Sequence, residues 1–221
     1  MKTVLFCDFD GTISRRDVGY SIFHHFSNGK NDELLPDWKA GRISTRECLL
    51  REAEMVHASA EDIYRYVDQF ELDRGFADFV ARCDKSRVPL FITSDGLDFY
   101  IRRLLEKNDL AHLEFTSNIG RVQNGGIEIS FPVENKSCRR CGTCKGERIQ
   151  RFREEAGEPH RVIFVGDGYS DVCATREADI IFAKKDLARY CLANDISYLG
   201  YDTFFDVSLL LVQHGYLLDE E

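Results

Sequence analysis

Proline, methionine and tryptophan are scarce in this chain of 221 residues, which contains four, two and one of them. Basic residues are also in the minority, because 29 lysines and arginines face 38 aspartates and glutamates, giving a formal net charge of −9. So few prolines argue against a proline-rich linker. An acidic chain lacks the basic face with which proteins usually attract nucleic acids or anionic membranes. We therefore expect neither as a partner.

Long apolar runs are missing too, and none approaches the roughly 18 residues of a transmembrane helix. The apolar residues at the start of the chain meet Asp8 too early to form a signal-peptide core. Without a secretory signal, the eight cysteines are expected to be reduced thiols. These features predict a cytoplasmic protein, monomeric or homodimeric, large enough to bury its own core.

The sequence does contain an alternation of apolar strands and amphipathic helices. The predicted strands are Val4–Cys7, Val88–Thr93, Val162–Val165, Ile180–Phe182 and Ile196–Tyr198. Between the first two, residues from about 17 to 70 show only helical spacing of their apolar positions. The pattern predicts an α/β fold with a Rossmann-like, doubly wound parallel sheet and an inserted all-helical region.

Polar residues follow the predicted strands at the points where such a sheet builds its site. Asp8-Phe9-Asp10-Gly11-Thr12 presents two carboxylates at the end of the first strand, and Gly11 begins a turn whose amides can hold an anion. Ser94 follows the second strand, and Lys145 precedes a helix. Gly166-Asp167-Gly168-Tyr169-Ser170-Asp171 follows a later strand. Each feature alone is typical of an ordinary turn, cap or surface residue; their order together indicates a phosphoryl-transfer site with Mg²⁺, which relieves the repulsion between carboxylates.

These four motifs resemble those of the haloacid dehalogenase superfamily, and the Asp-x-Asp-Gly-Thr form is similar to its phosphatase branch. The helical insertion looks like the C1 cap of the phosphoserine phosphatase-like subfamily. The resemblance covers nearly the whole chain. It implies a core domain of residues 1–14 and 75–221 and a helical cap domain of residues 15–74.

Within that subfamily the chain is similar to the methionine-salvage group that acts on 2-hydroxy-3-keto-5-methylthiopentenyl-1-phosphate. The likeness lies in Asp17 after the first motif, in Gly75-Phe76 and in Cys141-Gly142-Thr143-Cys144-Lys145. The group usually has Ser-Gly-Gly at the second motif, where this chain has Ser94-Asp95-Gly96. Phosphoserine, phosphocholine and phosphoethanolamine therefore remain as alternative substrates.

The resemblance implies a mechanism for a small phosphate monoester. Asp8 would attack phosphorus to form an aspartyl phosphate, and Asp10 would serve as general acid and then as general base. The Asp8 carboxylate, the Asp10 carbonyl and Asp167 would hold Mg²⁺. Asp171 would act through a water bound to the metal or by contacting the direct ligands. The phosphoryl oxygens would be bound by Ser94 and Lys145, with Gly11 in the turn beside them.

Three cysteines cluster just before Lys145. Cys138, Cys141 and Cys144 offer three thiolates, whereas structural zinc needs four ligands, and only His160 and His112 stand as candidates for the fourth. We therefore expect reduced thiols, with zinc as the alternative and a disulfide as the third. In the insertion, Asp17 and Arg46 are candidates for substrate specificity.

Two functions of other classes remain open. A phosphoaspartate switch resembling a receiver domain also uses acidic residues and a lysine, but it has no insertion and no acid two positions after the nucleophile. A zinc-stabilised interaction module built on the cysteines would leave the acidic motifs unused.

Overall fold

The computed structural model describes residues 1–123 and 125–219, and within them seven strands form one sheet. The strands are β1 (Lys2–Cys7), β2 (Leu90–Leu97), β3 (Phe115–Gln123), β4 (Gly126–Ser130), β5 (His160–Gly166), β6 (Ile180–Ala183) and β7 (Leu199–Gly200). Their order across the sheet is β4-β3-β2-β1-β5-β6-β7, and every neighbouring pair is parallel except β3 with β4. The predicted α/β class with a mostly parallel sheet is confirmed.

Nine α-helices surround this sheet in the described part of the chain. They are α1 (Val18–Phe26), α2 (Leu35–Lys39), α3 (Thr45–Glu54), α4 (Ala60–Val67), α5 (Phe76–Ser86), α6 (Asp98–Lys107), α7 (Lys145–Glu155), α8 (Lys185–Ala193) and α9 (Phe204–Gln213). Short helical turns occur at Phe9–Ile13, Lys30–Glu33, Tyr169–Asp171 and Ala174–Arg176. None of the helices described combines the length and the apolarity needed to cross a membrane.

Strand β1 lies at the centre of the sheet and is buried on both faces. Because successive side chains of a strand point to opposite faces, Leu5 and Cys7 join the larger apolar cluster while Val4 and Phe6 join the smaller one. Both neighbours, β2 and β5, are parallel to β1. The carboxyl ends of these three strands therefore open at one edge of the sheet, where the predicted motifs begin.

The structure differs from the predicted strands in two places. β2 continues past Thr93 to Leu97, with an irregular register against β3 that puts Ser94 inside the strand rather than after it. The strand predicted at Ile196–Tyr198 lies instead at Leu199–Gly200. The amide of Ile196 donates to the carbonyl of Cys191 at 2.9 Å, so this residue closes the end of α8 and is not free to pair in the sheet.

Helices α1 to α4 form a single insertion between β1 and α5. Ser44 and Ser59 cap two of these helices, each hydroxyl accepting the amide three residues later at 3.1 Å. The two ends of the insertion are tied together, because the amide of Arg15 donates to Glu71 at 3.0 Å and that of Asp73 to Ile13 at 2.7 Å. The chain thus leaves the core and re-enters it at one point.

Candidate active site

The loop after β1 is held in place by its own backbone. The amide of Asp8 donates to the carbonyl of Val165 at 2.9 Å, which fixes the strand end beside β5. Gly11 has φ +72, and a Cβ there would lie 2.3 Å from an oxygen of Asp167, so only glycine fits. Its N–H already donates to the carbonyl of Arg16 and the hydroxyl of Ser14, both at 3.3 Å. The observed role of Gly11 is therefore to let the loop pass close to Asp167.

Lys145 lies at the centre of the buried polar groups. Its Nζ is 2.8 Å from Oδ1 of Asp8, 2.5 Å from Oδ1 of Asp171 and 2.9 Å from the hydroxyl of Ser170. Its side chain is 1% exposed, and it is the first residue of α7. The structure thus brings together the first, third and fourth of the predicted motifs around one ammonium group.

The loop after β5 supplies two of these acids, and they are held differently. Asp171 is fully buried, with Oδ1 on Lys145 and Oδ2 accepting the amides of Asp167 and Gly168 at 2.8 and 2.9 Å. Asp167 is paired with Lys185 at 2.8 Å. Carboxylate oxygens of Asp8, Asp167 and Asp171 all lie within 4.8 Å of one another, an arrangement suited to a cation.

Asp10 accepts hydrogen bonds on both of its oxygens. Oδ1 takes the amides of Val18 and Gly19 at 2.8 and 3.2 Å, from the start of α1. Oδ2 takes the hydroxyls of Tyr100 at 2.6 Å and Ser94 at 3.4 Å. Tyr100 was not predicted as a site residue, because its spacing on α6 is that of an apolar core position. Tyr100 is fully buried, and the contact of its hydroxyl with Asp10 was not foreseen from the sequence.

Burial and neighbouring charge shift the pKa values of these groups in opposite ways. Burial, and then the carboxylate of Asp171, raise the pKa of Asp8 well above its ordinary value, although Lys145 opposes this. Burial also raises the pKa of Asp10, with partial compensation from Tyr100, Gly19 and Val18. Burial lowers the pKa of Lys145, but Asp171 and Asp8 overcome it and the net shift is upward. The lysine therefore stays charged beneath a group of carboxyls that favour protons or another cation.

A cavity of about 440 Å³ opens above these residues, with walls from both the insertion and the core. Asp17, a candidate for substrate specificity, lines it and caps α1 by accepting the amide of Tyr20 at 2.8 Å. Two further acids, Glu52 and Asp95, were not predicted; burial raises their pKa values to about 7 and about 6. One oxygen of Asp95 is buried without a hydrogen-bond partner among the described residues.

Arg46 is placed differently from the prediction. Its guanidinium donates to the carbonyls of Val133 and Gly142 at 3.2 and 3.4 Å and lies 5.2 Å from the ring of Phe131. Within the described chain, the residues lining the cavity do not include Arg46. It braces the segment that leads to Lys145, so its expected contact with substrate is not what the structure shows.

Lys185 is a further site residue that sequence reasoning missed. Its Nζ contacts Asp167 at 2.8 Å and the carbonyl of Gly11 at 3.1 Å. It follows β6, the next strand beyond β5, and lines the cavity. The signal was the pair Lys184-Lys185 directly after an apolar strand, the kind of position at which three of the four motifs were identified.

The cysteine cluster contains a fourth member. The sulfurs of Cys138, Cys141, Cys144 and Cys173 all lie within 4.8 Å of one another. Cys173 lies far from the other three along the chain and was not part of the predicted cluster. Neither His160 nor His112 belongs to the group, and the ring of His160 packs instead against Phe152 with centroids 5.1 Å apart.

The fold and the four motifs are those of a phosphatase, a phosphoric monoester hydrolase, and the family model and the relatives support this class. The chain belongs to the family described as "Putative Phosphatase", whose model matches residues 3–201. Two relatives carry the name 2-hydroxy-3-keto-5-methylthiopentenyl-1-phosphate phosphatase. The protein from Brevibacillus brevis is 30% identical over 216 residues, 96% of each chain. That from Geobacillus thermodenitrificans is 28% identical over 210 residues, covering 93% of this chain and 94% of the relative.

Solved structures show the same fold at lower identity. A substrate-bound phosphoserine phosphatase has a TM-score of 0.67 at 16% identity, covering 86% of this chain and 90% of its own. A haloacid dehalogenase family hydrolase from Salmonella enterica serovar Typhi has a TM-score of 0.74 at 18% identity, covering 99% of this chain and 72% of its own. The predicted resemblance to the superfamily and to the phosphoserine phosphatase-like fold is confirmed.

Proposed function

We propose that the protein hydrolyses a small phosphate monoester with Mg²⁺, through a phosphoryl group carried on Asp8. The observation that supports this most directly is the position of Lys145, whose buried ammonium touches Asp171 and Asp8, and Asp8 lines the cavity. A lysine beside a buried aspartate offers a nucleophile and a cation for the phosphoryl oxygens in one place.

The residues present fit a magnesium ion. Hard oxygen donors from Asp8 and Asp167 lie within 4.8 Å of each other, and the pKa of each is raised first by burial and then by the nearby carboxylate of Asp171. We assign the metal to Asp8, Asp167 and the carbonyl of Asp10. Asp171 has both oxygens engaged by Lys145 and two amides, and would orient the site from behind. Mg²⁺ would neutralise charge on the phosphoryl oxygens.

In the first step the Asp8 carboxylate attacks phosphorus in line, and the bond to the alcohol oxygen breaks. Both described contacts of this carboxylate, with Lys145 and the amide of Phe9, fall on Oδ1, so Oδ2 is not committed to either. Asp10 gives its proton to the leaving oxygen. Its raised pKa suits this role, because the acid must carry a proton when the substrate arrives.

In the second step Asp10 takes a proton from water, and that water displaces Asp8 from phosphorus to release phosphate. Tyr100 and the first amides of α1 hold the Asp10 carboxylate in one orientation throughout. Ser94, which donates to Asp10 at 3.4 Å, and Lys145 would bind phosphoryl oxygens.

We assign residues 15–74 to a cap that encloses the substrate. Trp38 packs edge-on against Tyr169, with ring centroids 6.4 Å apart, and Lys39 lies 3.7 Å from Asp186. These two contacts join α2 to the core beside the cavity. A cap in this position would keep bulk water from the phosphoryl group.

The named relatives favour 2-hydroxy-3-keto-5-methylthiopentenyl-1-phosphate as the substrate. The cavity gives a reason to test a second class, alkyl phosphates with an ammonium group such as phosphoserine, phosphoethanolamine or phosphocholine. Beyond the motif residues its walls carry the acids Asp17, Glu52 and Asp95 together with the rings of Trp38 and Tyr169. Carboxylates and aromatic faces both attract an ammonium group.

The experiment is phosphate release from these four esters with and without Mg²⁺. We expect Mg²⁺-dependent turnover and one ester with clearly the highest kcat/KM. Acid quenching during turnover should leave one phosphoryl group on the peptide that contains Asp8, and none in Asp8→Asn. Failure of every ester, or a phosphoryl group on another residue, would overturn the proposal.

A further inference from the structure

We infer that Cys138, Cys141, Cys144 and Cys173 bind one structural zinc ion that joins the two loops of the active site. The inference is independent of the substrate and of the phosphoryl chemistry. The earlier expectation of free thiols depended on the lack of a fourth ligand. The fold supplies that ligand as Cys173, which lies 29 residues after Cys144 along the chain.

The geometry of the sulfurs suits a single metal ion. All four lie within 4.8 Å of one another, and a tetrahedral zinc site with bonds of about 2.3 Å separates its sulfurs by about 3.8 Å. Four thiols with no metal have little reason to converge, because sulfur is only a weak hydrogen-bond donor and acceptor. Four sulfur ligands in this arrangement are typical of zinc.

The backbone around the cluster is arranged to support thiolates. The amide of Cys141 donates to the sulfur of Cys138 at 3.5 Å. Gly146 lets the start of α7 approach Cys173, since a Cβ on that glycine would lie 2.5 Å from the carbonyl oxygen of Cys173. Three arginines, Arg139, Arg140 and Arg148, lie within four residues of a cluster cysteine along the chain and offer charge opposite to that of a zinc tetrathiolate.

The segment that carries three of these cysteines is held by hydrogen bonds and not by regular secondary structure. Residues 131–144 contain no helix or strand, and seven of the fourteen carry charged or polar side chains. Asn135 and Glu147 fasten parts of it, Asn135 by donating to the carbonyl of Cys141 at 2.9 Å and Glu147 by accepting the amide of Cys138 at 2.6 Å. In a loop of this length without helix or strand, a bound metal would add to these contacts.

The position of the cluster gives the ion a consequence for the active site. Cys144 directly precedes Lys145, and Cys173 lies two residues after Asp171. A metal bound to both cysteines would fix the loop before Lys145 relative to the loop that carries Asp171. The ammonium of Lys145 and the carboxylate of Asp171 lie 2.5 Å apart. Zinc would thus position two site residues without contacting the substrate.

Metal analysis of protein purified without added metal and without a metal-binding tag tests this. We expect one zinc per chain in the wild type and its loss in Cys141→Ser and Cys173→Ser. Cys191→Ser is the control, because Cys191, like Cys141, is a buried thiol but lies in the smaller core cluster; this variant should keep the zinc of the wild type. Cobalt in place of zinc should give the absorption of a tetrahedral thiolate site.

A second measurement needs no variant, and therefore does not depend on the folding of the serine proteins. Titrating the wild type with an organomercurial should release one zinc per chain, measured with a chromogenic chelator. Absence of stoichiometric zinc, iron in its place, or a disulfide between any two of the four cysteines would overturn the inference. None of these results would bear on phosphate release, so the two proposals fail separately.

Discussion

Two clusters of potential metal ligands lie on either side of Lys145, and they differ in chemistry and in placement. The oxygen cluster of Asp8, Asp167 and Asp171 lies at strand ends beneath the cavity. The sulfur cluster of four cysteines lies in loops beside it. Hard oxygen ligands hold Mg²⁺ loosely enough for exchange during turnover, whereas thiolates hold zinc as part of the fold. In the two proposals above, one cluster would serve the reaction and the other would serve the loops that bring the reacting groups together.

The comparison also shows how charge is balanced within one small volume. The acids around Asp8 are opposed by Lys145 and Lys185, which contact Asp8, Asp171 and Asp167 directly. Two lysines leave the three carboxylates of the oxygen cluster short of positive charge; burial, and then the carboxylate of Asp171, raise the pKa of Asp8. The predictions below separate the two clusters by removing one function at a time.

The largest effect is expected from Asp8→Asn. Removing the nucleophile should lower kcat by about 10⁴-fold or more, because loss of such a group removes the covalent route altogether. The zinc content should stay at the wild-type value, since the sulfur cluster is untouched. Phosphate release at saturating substrate and metal analysis of the same sample check both parts. Turnover within about tenfold of the wild type would exclude Asp8 as the nucleophile.

Asp10→Asn should be the next most severe change. We expect a loss of about 10²–10⁴-fold in kcat, the usual contribution of a general acid and base, with Mg²⁺ affinity retained because the backbone carbonyl is the assigned ligand. Calorimetric titration with Mg²⁺ separates the two effects. A collapse of metal affinity in this variant would show that the Asp10 side chain binds the ion.

Glu52→Gln tests an acid of the cavity wall whose carboxylate accepts a hydrogen bond from the side chain of Asn31 at 3.1 Å. Because burial raises the pKa of folded Glu52 to about 7, its stabilising contribution is present at low pH and is lost as the pH rises through 7. We expect the free energy of unfolding of the glutamine variant, relative to that of the wild type, to increase by on the order of 2 kcal/mol from pH 5 to pH 8. Urea unfolding at both pH values measures this.

The matched control is Glu54→Gln, on the same helix but exposed. It should show no such dependence on pH. Equal behaviour of the two variants would mean that Glu52 ionises freely in the folded protein.

The smallest effect is expected from Tyr100→Phe. The ring packs between Phe9 and Phe99, with centroids 6.2 and 5.3 Å away, so phenylalanine should preserve the packing. Loss of the 2.6 Å hydrogen bond to Asp10 should lower kcat by about tenfold, since a hydrogen bond to a charged group contributes about 1.5 kcal/mol. KM should change little. An unchanged kcat would show that the remaining contacts suffice to orient Asp10.

Much of the oxygen cluster could be predicted from the sequence, because each of its motifs directly follows an apolar strand and parallel strands end at one edge. Lys145 was identified by its place before a helix. Tyr100 and Cys173 could not be found in this way. Their contacts depend on how α6 and the loop after β5 pack against the rest of the protein. The spacing of residues along the chain does not indicate that packing. Glu52 was hidden for the same reason, since the face of α3 that lines the cavity is decided by the whole insertion.

The tied ends of the insertion have a consequence for how substrate range can change. The chain leaves the core after Ile13 and returns at Asp73, where the amide of Asp73 meets the carbonyl of Ile13 at 2.7 Å. A segment whose ends already touch can grow, shrink or be exchanged at small entropic cost, because closing a longer loop costs only slightly more. The helices are thus a graftable module. A chimaera that carries another family member's segment between Ser14 and Leu72 would keep the reacting groups and acquire a new cavity wall.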